Sequence, residues 1–300
     1  MKKTRSIALE RVASGIATSL LCAVALSPAL GAESSGPIPD FMTGAWGLDC
    51  RHADGTDCLS NSAFVRVPGD YGPGPVMQHP DYPYDGETTR RMADTNNPIL
   101  QPWVKEQMDI EVARVMEGML AGAAYGIPFV PTSRCWPGGV PGSHLYTGNV
   151  YYFQTPDQVW IHQTRDQTRR IYLNQEHSED PPFTWFGESV GHYENGDTLV
   201  IDTIALEDIG PIDRLNTPHS RQLHVIERHR IVDVDGERRI EVVFTVEDPG
   251  VFTQPWMAKV EYEQLPDARW TEWVCMENSR DFTIPEEELV PAPTDNVPDF

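Results

Sequence analysis

Apolar and polar residues alternate with period two over most of the chain beyond position 149. This is the signature of strands with one buried face. The clearest run is 185–204, WFGESVGHYENGDTLVIDTI, where two alternating segments flank Asn195-Gly196. An Asn-Gly pair accepts the positive φ values of a two-residue type I′ turn. Such a turn pairs Glu194 with Asp197, Tyr193 with Thr198, His192 with Leu199, Val190 with Ile201 and Glu188 with Thr203. Paired residues share a face. Val190, Leu199 and Ile201 then lie with Glu188 and His192, while Tyr193, Val200 and Ile204 lie with Ser189 and Asp202.

A second hairpin, 223–234 and 237–247, flanks Asp235-Gly236. Its turn pairs Ile231 with Ile240, His229 with Val242, Glu227 with Phe244 and Val225 with Val246. That face is apolar apart from Glu227 and His229. The other face pairs Arg230 with Glu241 and His224 with Glu247. Further strands are expected at 150–154, 159–163, 169–173, 256–264 and 270–277. About nine short antiparallel strands with mostly local connections predict a mainly β fold. The expected architecture is an antiparallel up-and-down meander forming a lipocalin-like barrel or half-barrel, with one N-terminal helix. The helix is expected over 98–124, where Trp103, Met108, Val112, Val115, Met116 and Met119 recur at helical spacing.

The remaining segments divide the chain. Residues 1–32 read as a signal peptide: Lys2, Lys3, Arg5 and Arg11, a short apolar stretch over 16–26, then small residues for cleavage. Residues 33–97 are rich in Gly, Pro and Asp and are expected to be loops, with Trp46 and Phe64 as apolar plugs. Residues 98–281 hold the helix and barrel-like domain. Residues 282–300 form an acidic, Pro-rich tail.

Composition narrows the function. Removing 1–32 takes the formal charge of the 300-residue chain from −22 to −25. Phosphate contacts need a basic surface, so nucleic acid is excluded as a leading partner, and no membrane association is expected after signal cleavage. The expected location is periplasmic or secreted. Four cysteines remain in the mature chain: Cys50, Cys58, Cys135 and Cys275. An even number in an exported protein suggests two disulfides. Of three connectivities, Cys50–Cys58 closes a short loop and leaves Cys135–Cys275. No CxxC spacing favours a cysteine metal site.

The stretch 163–278 resembles a large, mostly uncharacterised family of exported bacterial β-rich proteins. The matching pieces are Arg169-Arg-Ile-Tyr172 with His177 downstream, and Gly187-Glu-Ser-Val-Gly-His-Tyr-Glu-Asn-Gly-Asp-Thr-Leu-Val-Ile-Asp202. They continue with Pro218-His-Ser220, Leu223-His-Val-Ile-Glu-Arg228, Glu247-Asp-Pro249, Pro255-Trp256 and Val274-Cys-Met-Glu-Asn278. The resemblance implies export and a β-rich fold and assigns no catalytic role. Two positions depart from it: Asn195 lengthens a turn that usually reads Trp-Glu-Gly-Asp, and His229 stands where an aromatic is usual.

Glu227 is the first candidate for chemistry. A carboxylate on an apolar face is expected to have a raised pKa, suiting a general acid or base; the structural alternative is neutralisation by an arginine such as Arg165 or Arg170. His219 and His177, from flanking loops, are its expected catalytic partners. His192, Arg170, Ser189, Asp202 and His224 are expected to bind substrate, with Asp202 or Asp248 orienting an imidazole. The Gly187-Glu-Ser-Val-Gly191 stretch fits a nucleophile-elbow pattern, but Ser189 lies inside a hairpin rather than between a strand and a helix, so serine hydrolysis is rejected. The histidines have no strong metal-ligand spacing, so neither metal nor other cofactor is expected.

Aromatic residues are plentiful among the strands, which suits a small apolar or aromatic partner molecule. The expected function is cofactor-independent acid–base catalysis by a lyase, hydratase or isomerase acting in the barrel cavity. The alternatives are a non-catalytic periplasmic carrier or sensor, and a metal-dependent hydrolase.

Overall fold

A computed structural model describes residues 45–48, 65–66, 74–81, 92–120, 135–145, 149–163 and 167–266. All of these belong to one unit, Gly36–Phe300. In chain order the elements are β1 (Ala45–Leu48), β2 (Val65–Arg66), α1 (Pro102–Leu120), a 3-10 turn (Gly142–Leu145), β3 (Asn149–Gln154), β4 (Gln158–Gln163) and β5 (Gln167–Leu173). They continue with β6 (Glu188–Glu194), β7 (Thr198–Ile204), β8 (His224–Val234), β9 (Glu237–Glu247) and β10 (Trp256–Leu265). The expected strand at 270–277 and the acidic tail lie outside the described residues, as do Arg165, Cys50, Cys58 and Cys275.

Nine strands close into a barrel in the order β1-β3-β4-β5-β6-β7-β8-β9-β10, with β1 pairing β10 to complete the ring and β2 added to β10. The fold is the expected lipocalin-like β-barrel. Two details correct the expectation. The closing strand β1 comes from a segment read as loops, and Trp46 within it is fully buried. The meander is also not antiparallel throughout. Neighbours in a ring of nine cannot all alternate in direction, so one pair is forced to be parallel. That pair is β5 and β6, joined by the long loop 174–187.

The two hairpins compare differently with their expected registers. In β8–β9, Glu227 pairs with Phe244, His229 with Val242, Val225 with Val246 and Ile231 with Ile240, as the Asp-Gly corner requires. In β6–β7 the register is slipped by one: Glu194 pairs with Thr198, His192 with Val200, Val190 with Asp202 and Ser189 with Thr203. The turn spans three residues, with Asn195 and Gly196 both at positive φ and Asp197 as the third. A one-residue slip reverses which side chains of a strand look inward. Ser189 therefore faces the interior, while Glu188, Val190 and His192 share the outer face with Asp202.

The interior is an apolar ladder. Val242, Phe244 and Val246 of β9 face Val260, Ala258 and Trp256 of β10, all buried. Val150, Val159, Ile161, Ile171, Leu199 and Ile201 complete the circumference. Helix α1 begins at Pro102 rather than at 98, the expected end at 121–124 lies outside the described residues, and the helix packs through Val104, Met108 and Val115, while Trp103 is 49% exposed.

Gly191 is a tight point of this wall. A Cβ added there would meet Ile171 Cγ2 at 2.8 Å and the Val200 carbonyl at 2.9 Å. Backbone cannot yield as a flexible side chain can, so Gly191→Ala is expected to cost about 1–3 kcal/mol. Chemical denaturation will show a lowered midpoint, whereas Gly196→Ala, in open space, will cost only about 1 kcal/mol through its positive φ.

Candidate functional site

The apolar interior is interrupted at one place by a connected set of polar side chains. Strand alternation puts Glu227 and His229 of β8 inward, both with no exposed surface. Arg169 of β5 projects from the opposite wall, and Ser189 and Thr203 come from the intervening strands β6 and β7. His144 is delivered by the 3-10 turn, which inserts its side chain among the strands. Tyr152 of β3 and Tyr262 of β10 complete the group, and all are nearly or fully buried.

The contacts form a chain. The Tyr262 hydroxyl lies 2.7 Å from His144 Nδ1, and His144 Nε2 lies 2.9 Å from Glu227 Oε1. His229 Nε2 lies 3.4 Å from the same oxygen, and His229 Nδ1 lies 2.9 Å from the Tyr152 hydroxyl. Arg169 Nη2 approaches Glu227 Oε2 at 2.5 Å. Arg169 also donates from Nε to the Ser189 hydroxyl at 3.0 Å and from Nη2 to Thr203. Two buried nitrogens, Arg169 Nη1 and His229 Nε2, have no hydrogen-bond partner.

This geometry corrects the expected electrostatics of Glu227. Burial by itself raises its pKa, but the Arg169 guanidinium and the two imidazoles outweigh burial and hold the carboxyl well below the usual range. Glu227 is thus a fixed anion, not an acid poised near neutrality. Its neutralising partner is Arg169; Arg170 is exposed and lies over Trp160, 4.9 Å from the ring centroid. Burial pushes His229 down to about 4, so its ring is neutral at pH 7. Burial also raises both tyrosines.

The expected partners of Glu227 lie elsewhere. His177 and His224 gather on the outer wall around Asp202. His177 Nε2 lies 3.1 Å and His224 Nε2 2.9 Å from the same Asp202 oxygen. Glu188 stands 3.1 Å from His177 Nδ1, and Glu247 3.5 Å from His224 Nδ1. The hydrogen bond from His224 comes first in holding the Asp202 pKa down, and the Asp202 contact raises that of His224. His219 is separate: its Nδ1 lies 3.2 Å from the Ser220 carbonyl, and burial lowers its pKa. Asp248 holds Ser220 rather than an imidazole. His192 points outward toward Glu194 at 3.7 Å. Of the expected set, only Glu227 and Ser189 meet in the interior, and Ser189 bonds Thr203 and Arg169 instead of facing Asp202.

Period-two reading could have found Arg169. It shares a face with Ile171 and Leu173, whereas Arg170 falls on the other side. Tyr152 and Tyr262 were legible in the same way. His144 had no such signal, because it comes from a short turn with no periodicity.

His144, Glu227 and His229 place one donor atom each within 4.8 Å of one another, a set of suitable type for a metal ion. Charge argues against it. Arg169 already balances Glu227, so a divalent ion would leave two positive charges uncompensated in a dry core, where ionic desolvation is most costly. No family model matches the chain, and no curated protein or solved structure matches it either.

Two outcomes follow from this centre. Removing one partner of a buried ion pair costs about 3–5 kcal/mol, while replacing both with apolar groups can be near neutral. Glu227→Leu and Arg169→Met are each expected to lose that much in urea denaturation, and the double variant clearly less than their sum. The second concerns pH. With a folded pKa near 4, below the unfolded value of about 6.5, His229 leaves stability intact above pH 6.5 and removes it as pH falls toward 4. Asp213, buried and raised to about 6, acts oppositely, because its folded form gains a proton first on acidification. The stability loss between pH 6.5 and 4 will flatten in His229→Asn and steepen in Asp213→Asn.

Proposed function

We propose that this chain is an exported enzyme performing proton transfer on a small, partly apolar molecule, a lyase, hydratase or isomerase without a bound cofactor. The observation that carries the reading is the buried Tyr262–His144–Glu227–His229–Tyr152 chain with two interior nitrogens lacking hydrogen-bond partners. Buried polar groups without partners cost stability and call for an explanation, of which catalysis is one.

The roles differ from those expected of the residues in isolation. His229 is the base: its ring is neutral at pH 7, and its Nε2, 3.4 Å from Glu227 Oε1, makes no hydrogen bond. Glu227, a fixed anion, stabilises the imidazolium formed when His229 takes a proton. Arg169 Nη1 offers an N–H to the oxygen on which negative charge develops. Phe244 and Tyr262 flank His144 at ring distances of 5.2 Å and 6.0 Å and supply the apolar surface. The export half of the reading rests on the leader-like first 32 residues and on the even number of cysteines beyond them.

Abstraction of a carbon-bound proton exchanges it with solvent. In deuterium oxide, a panel of small unsaturated and aromatic hydroxy acids is therefore expected to yield at least one compound that gains deuterium or changes mass. His229→Gln should lower that rate by about 100-fold or more. A molecule that co-purifies but stays unexchanged and chemically unchanged would overturn the enzyme and leave the carrier reading.

A further inference from the structure

The loop 174–187 joins the parallel pair β5 and β6, and backbone fixes its two ends. The Asn174 N–H donates to the Gly191 carbonyl, and Thr184 bonds the backbone of Ala205 and Glu207. Between those ends, residues 175–183 make no backbone–backbone hydrogen bond. Their hydrogen bonds and ion pairs to the barrel come from His177 and Ser178. Only His177 and Pro181 in this stretch are half-buried, and the rest is exposed. Arg221 lies over the Phe183 ring, 4.9 Å from its centroid.

One imidazole therefore straps the middle of the loop to the outer wall. His177 Nδ1 lies 3.1 Å from Glu188 Oε2 on β6, and Nε2 lies 3.1 Å from Asp202 Oδ1 on β7. The Ser178 N–H donates to that same Glu188 oxygen at 2.8 Å. The row continues through His224 on β8. Its Nε2 lies 2.9 Å from the same Asp202 oxygen, and its Nδ1 3.5 Å from Glu247 on β9. Among the described residues, no Lys or Arg pairs with these three carboxylates. The loop's own Glu176, Glu179 and Asp180 are exposed and form no ion pair.

Protonation decides how firmly the strap holds. An imidazolium donates from both nitrogens, whereas a neutral ring has one N–H and one lone pair. With both rings charged, each nitrogen turns an N–H toward a carboxylate, and charge-assisted hydrogen bonds are the strong ones. A neutral His177 keeps one such bond and sets a lone pair against the other carboxylate. The surroundings keep the acceptors ionised. Burial by itself raises Glu188, but the hydrogen bonds from Ser178 and His177 bring it below its ordinary value. The His224 hydrogen bond comes first in doing the same for Asp202, and the Asp202 contact raises His224. The hold of His224 is thus complete below its unfolded value of about 6.5 and is lost as pH rises through the higher folded value.

We propose that His177 is a pH-sensitive strap: as an imidazolium it pins residues 175–183 to Glu188 and Asp202, and as a neutral ring it releases them. His224 and Glu247 complete the charge row behind Asp202. The strap lies on the outer wall and is independent of the interior group.

The test is limited proteolysis of the full-length protein with a glutamate-specific protease, scoring cuts after Glu176 and Glu179 by fragment mass. Comparing His177→Gln with wild type at each pH cancels the pH dependence of the protease. At about pH 6 the variant is expected to be cut roughly 5-fold faster than wild type. At about pH 8.5 the two rates are expected to converge, because the wild-type ring is then neutral as well. Equal rates at the lower pH overturn the strap, and so does a difference that persists unchanged at the higher one. If the variant fails to fold by circular dichroism, the wild-type Ser178 amide decides. Its hydrogen exchange by NMR, corrected for the intrinsic pH dependence, is expected to quicken about 5-fold between those two pH values. Unchanged protection overturns the strap.

Discussion

The ion pair between Arg169 and Glu227 is the constraint around which the barrel is arranged. It runs from β5 to β8 across the interior, and Arg169 also bonds Ser189 and Thr203 on the two strands between. Four consecutive strands therefore converge on one guanidinium. Charges taken out of water need near-complete compensation. That requirement selects the surroundings: two imidazoles on Glu227, two hydroxyls on Arg169, and tyrosines behind the imidazoles. An apolar core of this size would close a barrel without them, so the polar group specifies which strands meet at this level.

Electrostatics separates the two histidine clusters by environment. Inside, positive and negative charges cancel and the rings are shielded from water. His229 is neutral there at pH 7, and a divalent ion would find no uncompensated negative charge. Outside, carboxylates outnumber cations and water is at hand. The same residue types thus sit in opposite surroundings, which differ in local charge balance rather than in the kind of donor atom.

The inward position of Glu227 and His229 was legible because β8 and β9 alternate cleanly and Asp235-Gly236 makes a two-residue corner. The neighbouring hairpin shows the limit of such reading. Asn195 and Gly196 both take the expected positive φ, yet Asp197 joins the turn. One extra residue moved Ser189 inward and set His192 and Asp202 outward. The grouping of His177 and His219 with Glu227 failed for a related reason. Both lie in loops, whose paths depend on packing against distant strands.

From the amino-acid order alone come the mainly β class, the position of most strands, the helix and the burial of an acid on β8. Each follows from local periodicity and turn chemistry, which act over a few residues. Tertiary structure alone decided that a 3-10 turn supplies His144, that β1 closes the ring, and that β5 and β6 run parallel. Those outcomes depend on closing a ring with an odd number of strands and on balancing charge across its interior, and neither condition exists until distant segments meet.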